Sequence, residues 1–153
     1  MTIDEFNDTI DFAVSREREA VEFYAGLQAS AHFHAQRIML KELESMEQGH
    51  ILALEELRRK GVDHLRSNPR KEAVNLRISE YLVESSPEAS LTYQDILIIA
   101  MKREERSHAL YSDLAKEFVG TELETVLKRI AAEESEHKFR FERLYDEEVL
   151  KGN

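Results

Sequence analysis

The chain contains no cysteine. That absence removes disulfides, thiol nucleophiles, Cys-ligated zinc and iron–sulfur centres from consideration. Helix breakers are scarce, with two prolines (Pro69, Pro87) and five glycines in 153 residues. A chain so depleted, and rich in Glu, Leu, Ala, Arg and Lys, is expected to be all-α. Long apolar runs are missing as well. No stretch approaches the roughly 18 residues of a membrane span, and the opening MTIDEFNDTI lacks the basic-then-apolar build of a signal peptide. Positive charge is in deficit, 21 Lys and Arg against 31 Asp and Glu, for a formal net charge of -10. An acidic surface of this kind disfavours nucleic acid and anionic membranes as partners. The expectation is a cytoplasmic protein without nucleic-acid or membrane partners, long enough to bury the core of a single domain over 1–153.

What is present is helical periodicity with clear punctuation. Thr2 and Glu5 form a capping-box pair ahead of a helix expected over about 3–30. A second helix over about 35–60 is expected to stop at Gly61. Thr92 is an N-cap for a third over about 92–119, and Gly120 closes it. Thr121 with Glu124 then caps a fourth over about 122–149. Between them lies a crossover, 61–91, whose EAVNLRISEYLVE stretch has the spacing of one short helix. Residues equidistant from a tight turn lie level on an antiparallel pair. The punctuation at Val119-Gly120-Thr121 therefore puts Glu104 level with Glu134, and the same reasoning puts the first turn inside SAHFH. Helices of about 28 residues are roughly 42 Å long, and the crossover can span them. The expected architecture is a four-helix bundle of two antiparallel hairpins with one long crossover.

One pattern carries chemistry. Glu17 and Glu104 each precede a Glu-x-x-His step by 30 residues, Glu47 to His50 and Glu134 to His137. A shift of 87 residues maps the first set onto the second and Tyr24 onto Tyr111. All six residues fall within inward-facing apolar stripes: Ile10, Ala13, Glu17, Ala20, Tyr24 on the first helix and Leu43, Glu47, His50, Leu54 on the second. The third continues the pattern with Tyr93, Leu97, Ala100, Glu104, Ser107, Tyr111, and the fourth with Ile130, Glu134, His137, Phe141, Leu144. Four acids in a core repel one another and cost several kcal/mol each when unpaired. No Lys or Arg falls on these stripes, so metal ions are the expected counter-charge. Two divalent ions would offset four of the ten formal negative charges. Carboxylates with imidazoles suit iron or manganese, and zinc can occupy such a set.

The remaining candidates are weaker. With 24 glutamates in the chain, a lone Glu-x-x-His arises easily by chance, and Glu105 to His108 is such a case, off the stripe. Glu105 is expected to face solvent. His108, four residues after Glu104, is a candidate supporting group or alternative ligand. Tyr24 and Tyr111 are candidates to hydrogen-bond a ligand carboxylate, against the plainer reading as core tyrosines. His32 and His34 are expected on the surface of the first turn, and His64 in the connector. The run Ile96-Leu97-Ile98-Ile99 is apolar on more than one face and suggests a subunit interface.

The strings EREAVEFY and EERSHALY, with EQGH and ESEH, resemble the rubrerythrin branch of the ferritin-like superfamily over roughly 3–60 and 92–149. The resemblance implies a carboxylate-bridged di-iron site at Glu17, Glu47, His50, Glu104, Glu134 and His137, in a four-helix bundle that forms a homodimer. It implies reduction of hydrogen peroxide or dioxygen by two ferrous ions. Two departures stand out. There are no cysteines for the rubredoxin-like domain that well-known rubrerythrins carry, so electrons are expected from a separate donor protein. Ser107 also stands where those proteins commonly place a further Glu, associated with redox-linked iron movement. The other readings are a ferroxidase that feeds iron storage, a membrane-associated hydroxylase, and a metal-binding module without turnover. Gln48 stands where bacterioferritins present a haem-ligating Met, and no further helix is expected after 149, both of which weigh against storage. The acidic exterior weighs against the hydroxylase.

Overall fold

The structure is a computed structural model that describes residues 1–69, 76, 78–82 and 91–150. Four long helices dominate it: α1 (Ile3–Gln28), α2 (Arg37–Ser67), α3 (Tyr93–Ala115) and α4 (Glu122–Tyr145), with no strand among the described residues. They form two compact units, Met1–Asn75 with α1 and α2, and Leu76–Asn153 with α3 and α4.

The helix starts follow from hydroxyl caps. Thr2 Oγ1 accepts the Glu5 N–H at 3.1 Å while the Glu5 carboxylate accepts the Thr2 N–H at 3.0 Å, satisfying two otherwise orphaned donors. Thr92 and Asp95 repeat the arrangement on α3, both bonds at 3.1 Å. At α4 the expected pairing is altered. Thr121 Oγ1 accepts from Leu123 N–H, and the Glu124 carboxylate reaches past Thr121 to the Gly120 N–H. Gly120 is the one described residue with a left-handed backbone, φ +83°, which is what lets the chain reverse between α3 and α4.

Each unit is an antiparallel hairpin. In the second, Gln94 bonds Tyr145, His108 bonds Ala131 and Glu104 approaches His137, each pair equidistant from Gly120 to within one residue. In the first, Asp11 pairs with Arg58 and Glu17 approaches His50, and these pairs are centred on His34. That centre lies at the end of SAHFH, inside a 3-10 segment, Ala31–Gln36, in which buried Phe33 breaks the helical dihedrals.

Gly61 does not end α2, contrary to the sequence expectation. The helix runs six residues further, to Ser67, because Gly61 is buried against α1: a Cβ there would collide with the Phe6 ring. The glycine marks a close approach of helices and not a terminus. His64 consequently belongs to α2 and not to the connector, its carbonyl accepting from Asn68. Of the expected short connector helix, Ile78–Tyr81 forms a single 3-10 turn, while 72–75, 77 and 83–84 lie outside the described residues, as do 70–71 and 85–90 of the crossover. Tyr81 is buried and donates its hydroxyl hydrogen to Asp113 on α3 at 2.6 Å. Beyond Tyr145 the expected α-helix gives way to a π-helical turn, Asp146–Leu150.

The inward stripes are buried apart from Ala20, Tyr93, Ser107 and Leu144, which are half-buried. Ile96, Ile98 and Ile99 are also half-buried, around fully buried Leu97. No described helix is long and apolar enough to cross a membrane.

Candidate metal centre

In the first hairpin, Glu47 and His50 share one face of α2 through their i, i+3 spacing, between Leu43 and Leu54. Glu17 sits level with them on α1. Only 1% of Glu17, 1% of Glu47 and 4% of His50 is exposed. His50 Nδ1 lies 3.6 Å from Glu17 Oε2 and 3.8 Å from Glu47 Oε1. The second hairpin repeats the plan, with His137 Nδ1 3.6 Å from Glu104 Oε2. Glu104, Glu134 and His137 are all buried, and in each triad every residue offers a ligand atom within 4.8 Å of the other two.

These separations are longer than hydrogen bonds, which bring N and O to about 2.7–3.2 Å. They fit atoms arranged around an ion. Ligand bonds of about 2.1 Å place two donors on one metal about 3.0 Å apart at right angles and about 3.6 Å apart at 120°. The donors themselves, carboxylate oxygen and imidazole nitrogen, suit iron, manganese or zinc. Buried Glu/His clusters that could hold a metal ion are thus present in both hairpins, at the residues expected from sequence.

Electrostatics mark the same place as short of positive charge. Burial, and then the neighbouring Glu47 carboxylate, hold the Glu17 carboxyl well above its usual range. Burial alone would make His50 harder to protonate. The carboxylates of Glu17 and Glu47 outweigh that and push it from 6.5 to about 11. Cations on the adjoining turns have other partners. Arg16 pairs with Glu19 and stacks on Phe12, Arg58 pairs with Asp11 and Glu55, and Lys138 with Glu105 and Glu142.

The other candidates are placed as follows. Tyr24 and Tyr111 are 1% and 0% exposed, and Tyr24 meets Phe23 edge to face. Glu105 is exposed, as expected of a solvent-facing residue, as are His32 and His34. His108 is half-buried, its Nδ1 2.7 Å from the Ala131 carbonyl oxygen on α4. Neither that bond nor the Tyr81–Asp113 bond was legible from spacing. The first runs from a side chain to a backbone oxygen, which no residue identity encodes, and the second joins the crossover to a residue 32 positions away, a contact made only on folding. Comparison of the chain with protein-family models, curated proteins and solved structures finds no match.

Proposed function

We propose that the protein is a two-metal oxidoreductase of rubrerythrin type, reducing hydrogen peroxide or dioxygen with electrons from a separate donor protein. In this reading the hairpins pack as a ferritin-like four-helix bundle and their triads combine into one di-iron centre. The observation that carries it is the pair of buried Glu–Glu–His triads, built on separate hairpins by one plan shifted by 87 residues. A single triad has many uses, but two with identical donors supply the four carboxylates and two imidazoles of a two-metal carboxylate site.

Two ferrous ions bound there would supply the two electrons, and solvent the two protons, that convert hydrogen peroxide to two waters, while the protein contributes placement and exclusion of bulk solvent. Glu17, Glu47 and His50 would hold one ion, and Glu104, Glu134 and His137 the other. Leu43, Leu54, Ala100 and Ile130, all buried, flank the donors along their helices and keep the surroundings apolar, which strengthens their hold on a cation. Tyr24 and Tyr111 follow Glu17 and Glu104 by two helical turns and are placed to steady ligand carboxylates.

Anaerobic titration with Fe(II), followed by stopped-flow mixing with peroxide or dioxygen, tests the proposal. Two irons per chain are expected, with oxidation by peroxide faster than by oxygen. Saturation below two irons removes the site assignment. Two irons with oxygen as the faster oxidant replaces the peroxidase reading with an iron-oxidising one, and particle size then separates storage from a small oligomer.

A further inference from the structure

We infer that His108 is a positioning residue for the metal site of the second hairpin, holding α4 in place against α3 beside the ligands. The inference rests on the metal reading above and deepens it. His108 lies one turn past Glu104 on α3, and its Nδ1 is 2.7 Å from the carbonyl oxygen of Ala131. A carbonyl only accepts, so Nδ1 carries the hydrogen and donates it. Ala131 is buried on α4, three residues before Glu134 and six before His137. A bond to that oxygen fixes both the rotation and the sliding of α4 at the level next to two of its ligands. It draws on the backbone, so it holds the helix and not a mobile side chain.

The first hairpin lacks this brace. The 87-residue shift carries His108 to Val21, which has no donor, and Ala131 to Glu44. There Gln28 ties the helices near the turn, its Nε2 donating to Glu44 Oε1 at 2.7 Å and to the Tyr24 carbonyl at 3.2 Å, and Arg58 ties them at the other end, to the Asn7 carbonyl and Asp11. Gln28 is eleven residues from Glu17, at the turn end of the hairpin, and its counterpart in the second hairpin is Ala115. Glu44 stands three residues before Glu47, as Ala131 does before Glu134, so the two ties meet α2 and α4 at the same level. They differ at the other end: His108 is four residues from Glu104, Gln28 eleven from Glu17, and only His108 holds a backbone oxygen of the facing helix.

Cobalt(II) titration tests this through visible absorption, which reports the geometry at each ion. The protein is compared with its His108→Ala, His108→Gln, His108→Asn and Val21→Ala variants. An asparagine amide nitrogen falls near the place of Nδ1, and a glutamine amide near that of Nε2. The expected result is two cobalt ions per chain for the parent. One of the two should be weakened about tenfold or more, with an altered spectrum, in His108→Ala and His108→Gln. Asparagine should restore the parent behaviour, and Val21→Ala should leave it unchanged. Should the alanine variant fail to fold, the Gln and Asn pair carries the test. The positioning role is overturned if glutamine matches the parent, if asparagine does not restore it, or if both ions weaken equally. A parent that binds fewer than two ions overturns the metal reading itself, and this inference with it.

Discussion

A carboxylate that is 1% exposed, as Glu17, Glu47 and Glu134 are, destabilises a fold unless positive charge lies beside it. At Glu17 and His50 the charge is offset by protons. The Glu17 carboxyl is held well above the usual range by burial and then by Glu47, and His50 is held up at about 11. Both groups bind protons more tightly in the folded chain than in the unfolded one. The folded state therefore carries extra protons above the ordinary carboxyl range of about 4.3, and stability must decline as pH rises through that window. For His50 the decline runs from 6.5 to about 11. The metal-free protein should melt at lower temperature at pH 9 than at pH 6, measured by circular dichroism after chelation. Glu17→Gln removes one contributor, so it should flatten the profile and raise the melting temperature at pH 9 while losing one bound metal ion. A steeper profile in the variant would contradict the assigned cause.

At the scale of the helix, two glycines on α2 have opposite meanings. Gly49, between Glu47 and His50 in sequence, faces open space, whereas a Cβ on Gly61 would collide with the Phe6 ring. Gly49→Ala should stabilise the protein by about 0.5–1 kcal/mol through helix propensity alone. Gly61→Ala should destabilise it, since Phe6 is fully buried and an added atom overpacks the contact, typically at about 1–3 kcal/mol. Chemical denaturation of the two variants checks the sign of each. Loss of the N-cap in Thr92→Ala should cost about 1 kcal/mol by the same measurement.

The pair also shows what could be read before the structure. Thr2, Thr92 and Gly120 are local signals, since a cap or a reversal is set by the residue and its immediate neighbours. Both caps start their helices as expected and the chain reverses at Gly120, but α3 itself ends at Ala115, before a 3-10 turn at Lys116–Phe118. Gly61 was misread because its role depends on Phe6, 55 positions away in the chain and adjacent only after folding. The six ligand candidates were legible because a polar residue inside an apolar stripe breaks a periodicity that the sequence itself displays. The His108 bond was not, because its acceptor belongs to the backbone.

For the whole molecule, the ledger of charge sets how metal and stability are linked. The chain carries a formal -10, and its buried acids belong to that total. An ion that binds the folded state alone stabilises it by mass action. Because the imidazoles and carboxylates must shed protons to ligate, that stabilisation should increase from pH 6 to pH 8. Thermal melts at a series of Co(II) concentrations measure it. A melting temperature indifferent to metal at both pH values would count against the triads as ligands.

The spacing common to the two hairpins has a historical consequence. A helix pair carrying Glu, then Glu-x-x-His, present twice at a constant offset of 87 residues, is the pattern that tandem duplication of a single hairpin would leave. On that origin, Val21 against His108, like Gln28 against Ala115, marks a place where the two halves diverged. The acids, the imidazoles and the tyrosines Tyr24 and Tyr111 are what both halves share, while Gly120 of one turn stands where the other has Phe33.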